Sequence, residues 1–358
     1  MTSFISILLF IAAVSVLAAL HELGHFLTSR LFKIEVEEFG FGLPPRALTM
    51  FRWQGTDFTL NWIPFGAFVR PKGEMDPGVQ GGMGAAHPLK RLVILLGGPV
   101  MNLVAGMVLF SIIFLQTGVP DDKTVLINGI VQDSAAEKAG LKAGDILQKA
   151  NGTSIDSIEK VRNIIQANPD KPVTFVIVRD GKVQELQATP KATPPSGSGI
   201  LGVMLSNPVV QASWFQTIPM AFNVTVEYSR QVFILPVKLI MGQLPADQAR
   251  LTGIVGAGSM FVQARERDIQ STETSSSTPA VYALNMLAII TIGMGIFNLL
   301  PIPALDGGRI LFLLPELVLR RRIPAKYENA VHMVGFVALL ALMFVITIQD
   351  IVNPVVLP

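Results

Sequence analysis

The sequence predicts a multi-pass α-helical membrane protein: four transmembrane helices, a membrane-associated β-hairpin and one inserted extracytoplasmic α+β domain. Three observations predict it. The 358 residues are 50% hydrophobic and only 15% charged, with a mean hydropathy of +0.51, outside the range of ordinary soluble domains. Four apolar runs are each long enough to cross a hydrocarbon core of about 30 Å. Between the second and third runs lies a stretch of soluble composition with alternating strand, helix and turn signals. The formal net charge of +2 gives no electrostatic footprint for nucleic acid, and the lipid bilayer is the expected surroundings of most of the chain.

The first span covers 1–32. Phe4 to Leu20 is unbroken by charge or proline, and a helix carried on to about Phe32 reaches roughly 45 Å. The run lacks a basic leader and a small-residue cleavage site, so it reads as a retained span and not a signal peptide. At its end stands His21-Glu22-Leu23-Gly24-His25. Positions i and i+4 share one helix face, so His21 and His25 can grip one metal ion. Glu22 can then serve as a general base on water. Two of the chain's four histidines are in this stretch, and there is no cysteine. Any zinc site must therefore be completed by histidine or carboxylate.

Residues 33–90 are mixed in composition and are expected as a cytoplasmic, membrane-associated β region. Gly40-Phe41-Gly42-Leu43-Pro44-Pro45 reads as a break. Phe51 to Val69 reads as strands, with Phe58, Leu60 and Trp62 alternating with Thr59 and Asn61, and with Pro64-Phe65-Gly66 bending the run. Its aromatics suit a membrane interface. The second span, 91–117, carries Gly97-Gly98-Pro99-Val100-Met101-Asn102. Small residues permit close helix approach in lipid, Pro99 should loosen the helix, and Asn102 is a polar group at depth that needs a partner.

Residues 121–192 form the inserted domain. Thr124–Val131 is strand-like, Ser134–Ala139 and Ser157–Ala167 are short helices, and Arg179-Asp180-Gly181-Lys182 is a hairpin turn. With Gly140-Leu141-Lys142-Ala143-Gly144-Asp145-Ile146-Leu147, this pattern resembles a PDZ domain, which binds extended chain ends by strand addition. Gly199-Ile200-Leu201-Gly202 reads as its end-binding loop or its linker. Residues 193–278 are expected as a linker, rich in Pro, Gly and Ser up to Pro208, followed by amphipathic peripheral helices. Proline at 219 and 236 should break the first of these, Gly253–Gly258 should be flexible, and Arg265–Thr278 should be a polar loop.

The third span, 279–305, runs into Asn298-Leu299-Leu300-Pro301-Ile302-Pro303-Ala304-Leu305-Asp306-Gly307-Gly308-Arg309. Broken backbone at depth is tolerated where it lines an enclosed or watery cavity. A cytoplasmic loop or helix, 306–327, precedes the fourth span, 328–350. The 26–91 segment holds eight Lys/Arg and the 306–327 segment five. By the positive-inside rule both are cytoplasmic, which leaves both termini and the inserted domain outside. His21, Glu22, His25 and Asp306 then share one depth, near the cytoplasmic side. For the third metal ligand, depth and setting favour Asp306, with Glu316 and His332 as runners-up, while His87 reads as a structural or solvated loop residue.

The three membrane motifs in this order, with the PDZ-like insert between them, resemble the site-2 protease family, in the bacterial PDZ-carrying type that regulates envelope-stress sigma factors. The resemblance covers nearly the whole chain. It implies an intramembrane zinc metalloprotease of the inner membrane, with Zn2+ on His21, His25 and Asp306 and with Glu22 as general base. It further implies that Asn298 holds an unwound substrate strand and that the Thr56–Val69 hairpin, including Leu60, Asn61 and Gly66, pairs with it. Asn102 is assigned with these substrate-binding residues. Partners would be single-span membrane proteins, such as anti-sigma factors or signal-peptide remnants, with the PDZ domain taking a cleaved substrate end. The chain departs from many members in having one PDZ domain and in carrying Arg309 in place of histidine. Two other readings compete: a membrane-anchored zinc peptidase working on cytosolic-face substrates, and a non-enzymatic PDZ scaffold.

Overall fold

The computed structural model describes residues 2–74, 76–192, 199–243, 250–274 and 279–355. In chain order its elements are α1 (Thr2–Leu31), β1 (Val36–Trp53), β2 (Thr56–Pro71), α2 (Pro88–Thr117), β3 (Val119–Pro120), β4 (Val125–Ile130), α3 (Ala135–Lys138), β5 (Ile146–Ala150), β6 (Thr153–Ser154), α4 (Ile158–Gln166), β7 (Val173–Arg179), β8 (Lys182–Ala188), β9 (Val203–Ser206), β10 (Val209–Val210), α5 (Trp214–Ile240), α6 (Ile254–Thr274), α7 (Tyr282–Leu299), α8 (Asp306–Leu319) and α9 (Ala325–Val352). They fall into two compact units, one of residues 1–116 with 214–358 and one of 117–213.

In the first unit α1, α2, α7 and α9 are long and apolar enough to cross a membrane. Phe110 and Ile113 of α2 pack with Ala221 of α5 and with Ala288, Ile292 and Ile296 of α7. Phe10 and Val14 of α1 pack with Phe261 of α6. The outer faces stay apolar and exposed, as in Val334, Val337 and Phe344 of α9, which suits a lipid-facing surface. Glycine makes the α1–α2 contact possible. A Cβ on Gly24 would stand 2.1 Å from the carbonyl oxygen of Gly97, so here the two backbones meet directly.

The β region differs from the sequence expectation. β1 begins at Val36 and runs through the Gly40–Pro45 stretch expected as a break. Gly42, at φ 78°, turns the strand instead of ending it. Both strands are bent, and Phe39 is in register with Val69 on one side and Phe58 on the other. The legs therefore lie side by side in the order 46–53, 56–61, 36–41, 67–71. Among the described residues no further strand pairs with the 67–71 leg. Buried Glu38 ties the legs together, receiving Arg46 at 2.7 Å, Arg70 at 3.2 Å and the Thr59 hydroxyl at 2.9 Å.

Several segments expected to be irregular are helical. α5 is continuous through Pro219 and Pro236. The Gly253–Gly258 stretch opens α6, because Asp350 of α9 accepts the N–H groups of Gly253 at 2.9 Å and Gly256 at 2.8 Å. A distant carboxylate thus caps a helix whose own sequence supplies no cap. Arg265–Thr274, expected as loop, continues α6, and its Asp268 accepts the N–H groups of Tyr282 and Ala283 at the start of α7. Residues 193–198 of the expected linker and 275–278 of the expected polar loop lie outside the described residues.

The second unit is a sheet of order β8-β7-β5-β4-β9, with β6 on β5. Val125, Ile127, Leu147, Val161, Phe175 and Ile177 form its core. Ser134 caps α3 and Ser157 caps α4. Asp180 and Gly181, at φ 52° and 74°, make the β7–β8 turn. β9 lies in the stretch expected as linker, yet it pairs with β4. Four residues among glycine and proline carry too short an alternation to be read as a strand.

Candidate metal centre and active site

His21 and His25 lie one turn apart on α1. Gly98 of α2 lies against both rings, for a Cβ there would come within 2.4 Å of His25 Nε2 and 2.7 Å of His21 Nε2. Opposite them, Pro301 and Pro303 end α7 and turn the chain, so that α8 begins at Asp306. A carboxylate in the first turn of a helix is favoured by the helix dipole. Ala304 holds φ 77° at the tightest point of this turn, and its N–H donates to His332 Nδ1 at 2.8 Å.

The outcome is a compact donor set. His21 Nε2 lies 3.2 Å from His25 Nε2 and 3.2 Å from Asp306 Oδ2, and His25 Nε2 lies 3.4 Å from Asp306 Oδ2. Bonds of about 2.0–2.1 Å around a tetrahedral zinc place its donors about 3.3 Å apart. The three residues therefore fit zinc in both chemistry and spacing. His25 Nδ1 donates to the Ile94 carbonyl at 2.8 Å, which leaves Nε2 free to bind.

The alternatives for a third ligand are engaged elsewhere. Glu316 pairs with Arg91 at 2.8 Å, His332 holds Ala304, and exposed His87 accepts the Leu89 N–H. Among the described residues, the one cluster able to hold a metal is His21, His25 and Asp306.

A cavity of about 250 Å³ opens on this cluster, lined also by Glu22, Phe68, Val69, Glu74, Asn298 and Arg309. Glu22 Oε2 accepts the backbone N–H of Val69 at 3.0 Å. Asn298 lines the cavity, with its amide N–H donated to the Met294 carbonyl at 2.9 Å. The other residues expected around a substrate lie elsewhere. Leu60 and Gly66 line a separate apolar groove of about 450 Å³ between α1 and the sheet. Asn61 is buried, donating to the carbonyls of Phe41 and Gly42. Asn102 is buried behind His21.

The sequence profile of peptidase family M50 matches residues 9–342. The chain belongs to that family. It is 29% identical over 429 residues to the zinc metalloprotease RasP of Geobacillus kaustophilus, covering 97% of each chain. It is 25% identical to the regulator of sigma-W protease RasP of Bacillus subtilis, covering 97% of this chain and 98% of that one. It is also 25% identical to the metalloprotease MmpA of Caulobacter vibrioides, covering 92% and 91%. As an M50 peptidase the chain is a zinc metalloprotease of the site-2 protease family, with four candidate membrane spans. A non-enzymatic scaffold is thereby set aside.

The cavity of this M50 chain is also lined by residues that no sequence pattern announced. Val69 contributes a backbone group, which no side-chain pattern could announce. Glu74, from the loop after β2, forms an ion pair with Arg309 at the cavity wall. Arg309 drew notice in the sequence as a departure from the family's usual histidine, and Glu74 drew none. Gly98 was legible as a small residue for close packing, and its neighbours prove to be the two histidine rings.

Proposed function

We propose that this chain is an intramembrane protease. In this reading His21, His25 and Asp306 hold the zinc, Glu22 is the general base, and the substrates are single-span membrane proteins. The observation that carries the proposal is the meeting of the Asp306 carboxylate with both histidines, within 3.4 Å, where the histidines lie within the candidate span Ser3–Leu31 and Asp306 follows the candidate span Tyr282–Leu299. Soluble peptidases have no need to place a water-using site there, and ionisable groups at membrane depth are functional by default.

When bound, zinc would act as a Lewis acid toward the scissile carbonyl and the attacking water. Val69 fixes one oxygen of Glu22 and leaves the other to face the cavity. That oxygen takes the proton from water and returns it to the leaving nitrogen. A substrate helix hides its carbonyls in hydrogen bonds, so its cleaved segment must first be extended. The 67–71 leg offers an unpaired edge beside Glu22, and Asn298 offers its amide oxygen.

The 117–213 unit reads as a PDZ-type module. β9 is a terminal strand of its sheet, and a groove of about 260 Å³ runs along it past Arg162 and Ile165 of α4 and the Gly199–Gly202 loop. Such an edge suits capture of a chain end by strand addition. By the positive-inside rule this module and both termini would lie outside the inner membrane. The regulator role in the name of the Bacillus subtilis relative, together with this arrangement, supports a place in regulated intramembrane proteolysis.

The test is cleavage of a single-span reporter by the purified protein in lipid vesicles, with the cut mapped by mass spectrometry. Cutting inside the span, abolished in Glu22→Gln and Asp306→Asn, is the expected result. A cut confined to the cytosolic flank would instead favour a membrane-anchored peptidase.

A further inference from the structure

We infer that Asn102 is a positioning residue for the metal site, accepting a hydrogen bond from His21 Nδ1 and so aiming the Nε2 lone pair at the metal. Asn102 is fully buried in α2. Its backbone carbonyl accepts the Thr291 hydroxyl at 3.2 Å, and Gly295 of α7 lies against its Cβ. Two contacts from α7 therefore hold it in place, and its amide reaches toward His21.

The argument turns on protons. A neutral imidazole carries one N–H. If Nε2 of His21 binds a metal, the hydrogen sits on Nδ1 and needs an acceptor. In the orientation found, the Asn102 Nδ2 faces Nδ1 at 3.2 Å, while Oδ1 is buried without a partner. That would set donor against donor and leave an acceptor unused. A half-turn of the amide keeps its shape and exchanges its two ends. The oxygen then meets the Nδ1 hydrogen, and the orphaned carbonyl acquires a partner in the same movement.

His25 supplies an independent parallel. Its Nδ1 already donates to a carbonyl, that of Ile94, at 2.8 Å. Both rings are thus braced from behind by an oxygen of α2. For His25 the brace is backbone and cannot be removed by substitution. For His21 it is the side chain of Asn102, which can.

The inference rests on His21 being a metal ligand. The test uses the full-length protein in detergent, with zinc affinity read by competition against a chromogenic chelator and zinc content read by mass spectrometry. Asn102→Leu, which has no acceptor, is expected to bind zinc about 10–100-fold more weakly. Asn102→Asp keeps an acceptor in place and is expected to stay within a few-fold of the parent. Activity of the leucine variant should recover with added zinc. Native zinc affinity in a folded Asn102→Leu protein would overturn the inference. So would an aspartate variant as impaired as the leucine one, because the amide would then act as a donor. If leucine prevents folding, Asn102→Ala answers the same question by the same readout. His21→Ala separates the two levels: zinc retained at native affinity there removes the metal reading itself, whereas loss there with full retention in Asn102→Leu removes only the role of Asn102.

Discussion

The backbone N–H of Val69 donates to Oε2 of Glu22 at 3.0 Å, joining an unpaired strand edge to the carboxylate beside the candidate metal ligands. Glu22 sits on a helix and Val69 in a sheet, and the hydrogen bond holds one of the two carboxylate oxygens. In the mechanism proposed, the strand that would receive an extended substrate would also orient the base.

Val69→Pro tests this link. Proline removes the N–H, and at this edge the lost donor faces Glu22 and not the neighbouring strand. A hydrogen bond to a charged group contributes about 1.5–3 kcal/mol, so kcat should fall tenfold or more. Zinc content should be unchanged. An undiminished kcat would show that Glu22 needs no such orientation.

Gly98→Ala tests the fit of the metal centre. The added methyl would stand 2.4 Å from His25 Nε2 and 2.7 Å from His21 Nε2. The rings would have to retreat by about 1 Å, well beyond the tolerance of about 0.2 Å that zinc coordination allows. Bound zinc should drop toward zero while circular dichroism still reports a helical protein. Stoichiometric zinc in that variant would mean the rings bind in some other arrangement.

Much of this was legible beforehand, for identifiable reasons. The spans declare themselves by length and hydropathy, because lipid admits few alternatives. His21, Glu22 and His25 are legible through helical spacing, and Asp306 through the prolines that end α7 and the charge asymmetry that suggested a shared depth. What stayed hidden depends on tertiary partners. Gly253 and Gly256 look like loop residues until Asp350 caps them. Leu60 and Asn61 look like an accessible hairpin until the register places 56–61 between two other legs. Asn102 looks like a cavity residue until α2 turns it behind His21.

The second unit has its own pH dependence. Asp145 is buried, which alone would push its carboxyl up. The Arg179 guanidinium, bonded at 2.6 Å to each oxygen, and the Lys142 N–H at 2.8 Å outweigh this and hold it below the usual aspartate range. A depressed folded value means that the stabilisation is fully present above the unfolded value of about 3.9 and is lost as pH falls through the folded one. Hydrogen-exchange protection within 121–206, corrected for the intrinsic pH dependence of exchange, should therefore be flat near neutrality and fall below about pH 4. Asp145→Asn should remove that acid-dependent step and destabilise the unit at pH 7 by about 2–3 kcal/mol. An unchanged acid response in the variant would assign it to other carboxylates.

The register makes a final prediction about where a substrate lies. Leu60 is paired with Phe41 on one side and Leu48 on the other, so it cannot offer main-chain hydrogen bonds to another chain, and Asn61 is paired with Arg46 and buried. Among the described residues no strand pairs with the outer edge of the 67–71 leg, where Glu22 holds the Val69 N–H, and Phe68 and Val69 line the cavity with Glu22 and Asp306. A photo-crosslinking residue placed at Phe68 in a Glu22→Gln background should capture a single-span reporter through the segment that is normally cut. The same probe at Asn61, buried against the Phe41 and Gly42 carbonyls, should capture none. Capture from Leu60 would land elsewhere on the reporter, in the helical part resting in the apolar groove against Val16, Ala19 and Leu23. If the scissile segment instead crosslinked from Leu60 and not from Phe68, the substrate would enter along the α1 groove, and strand addition beside Glu22 would have to be abandoned.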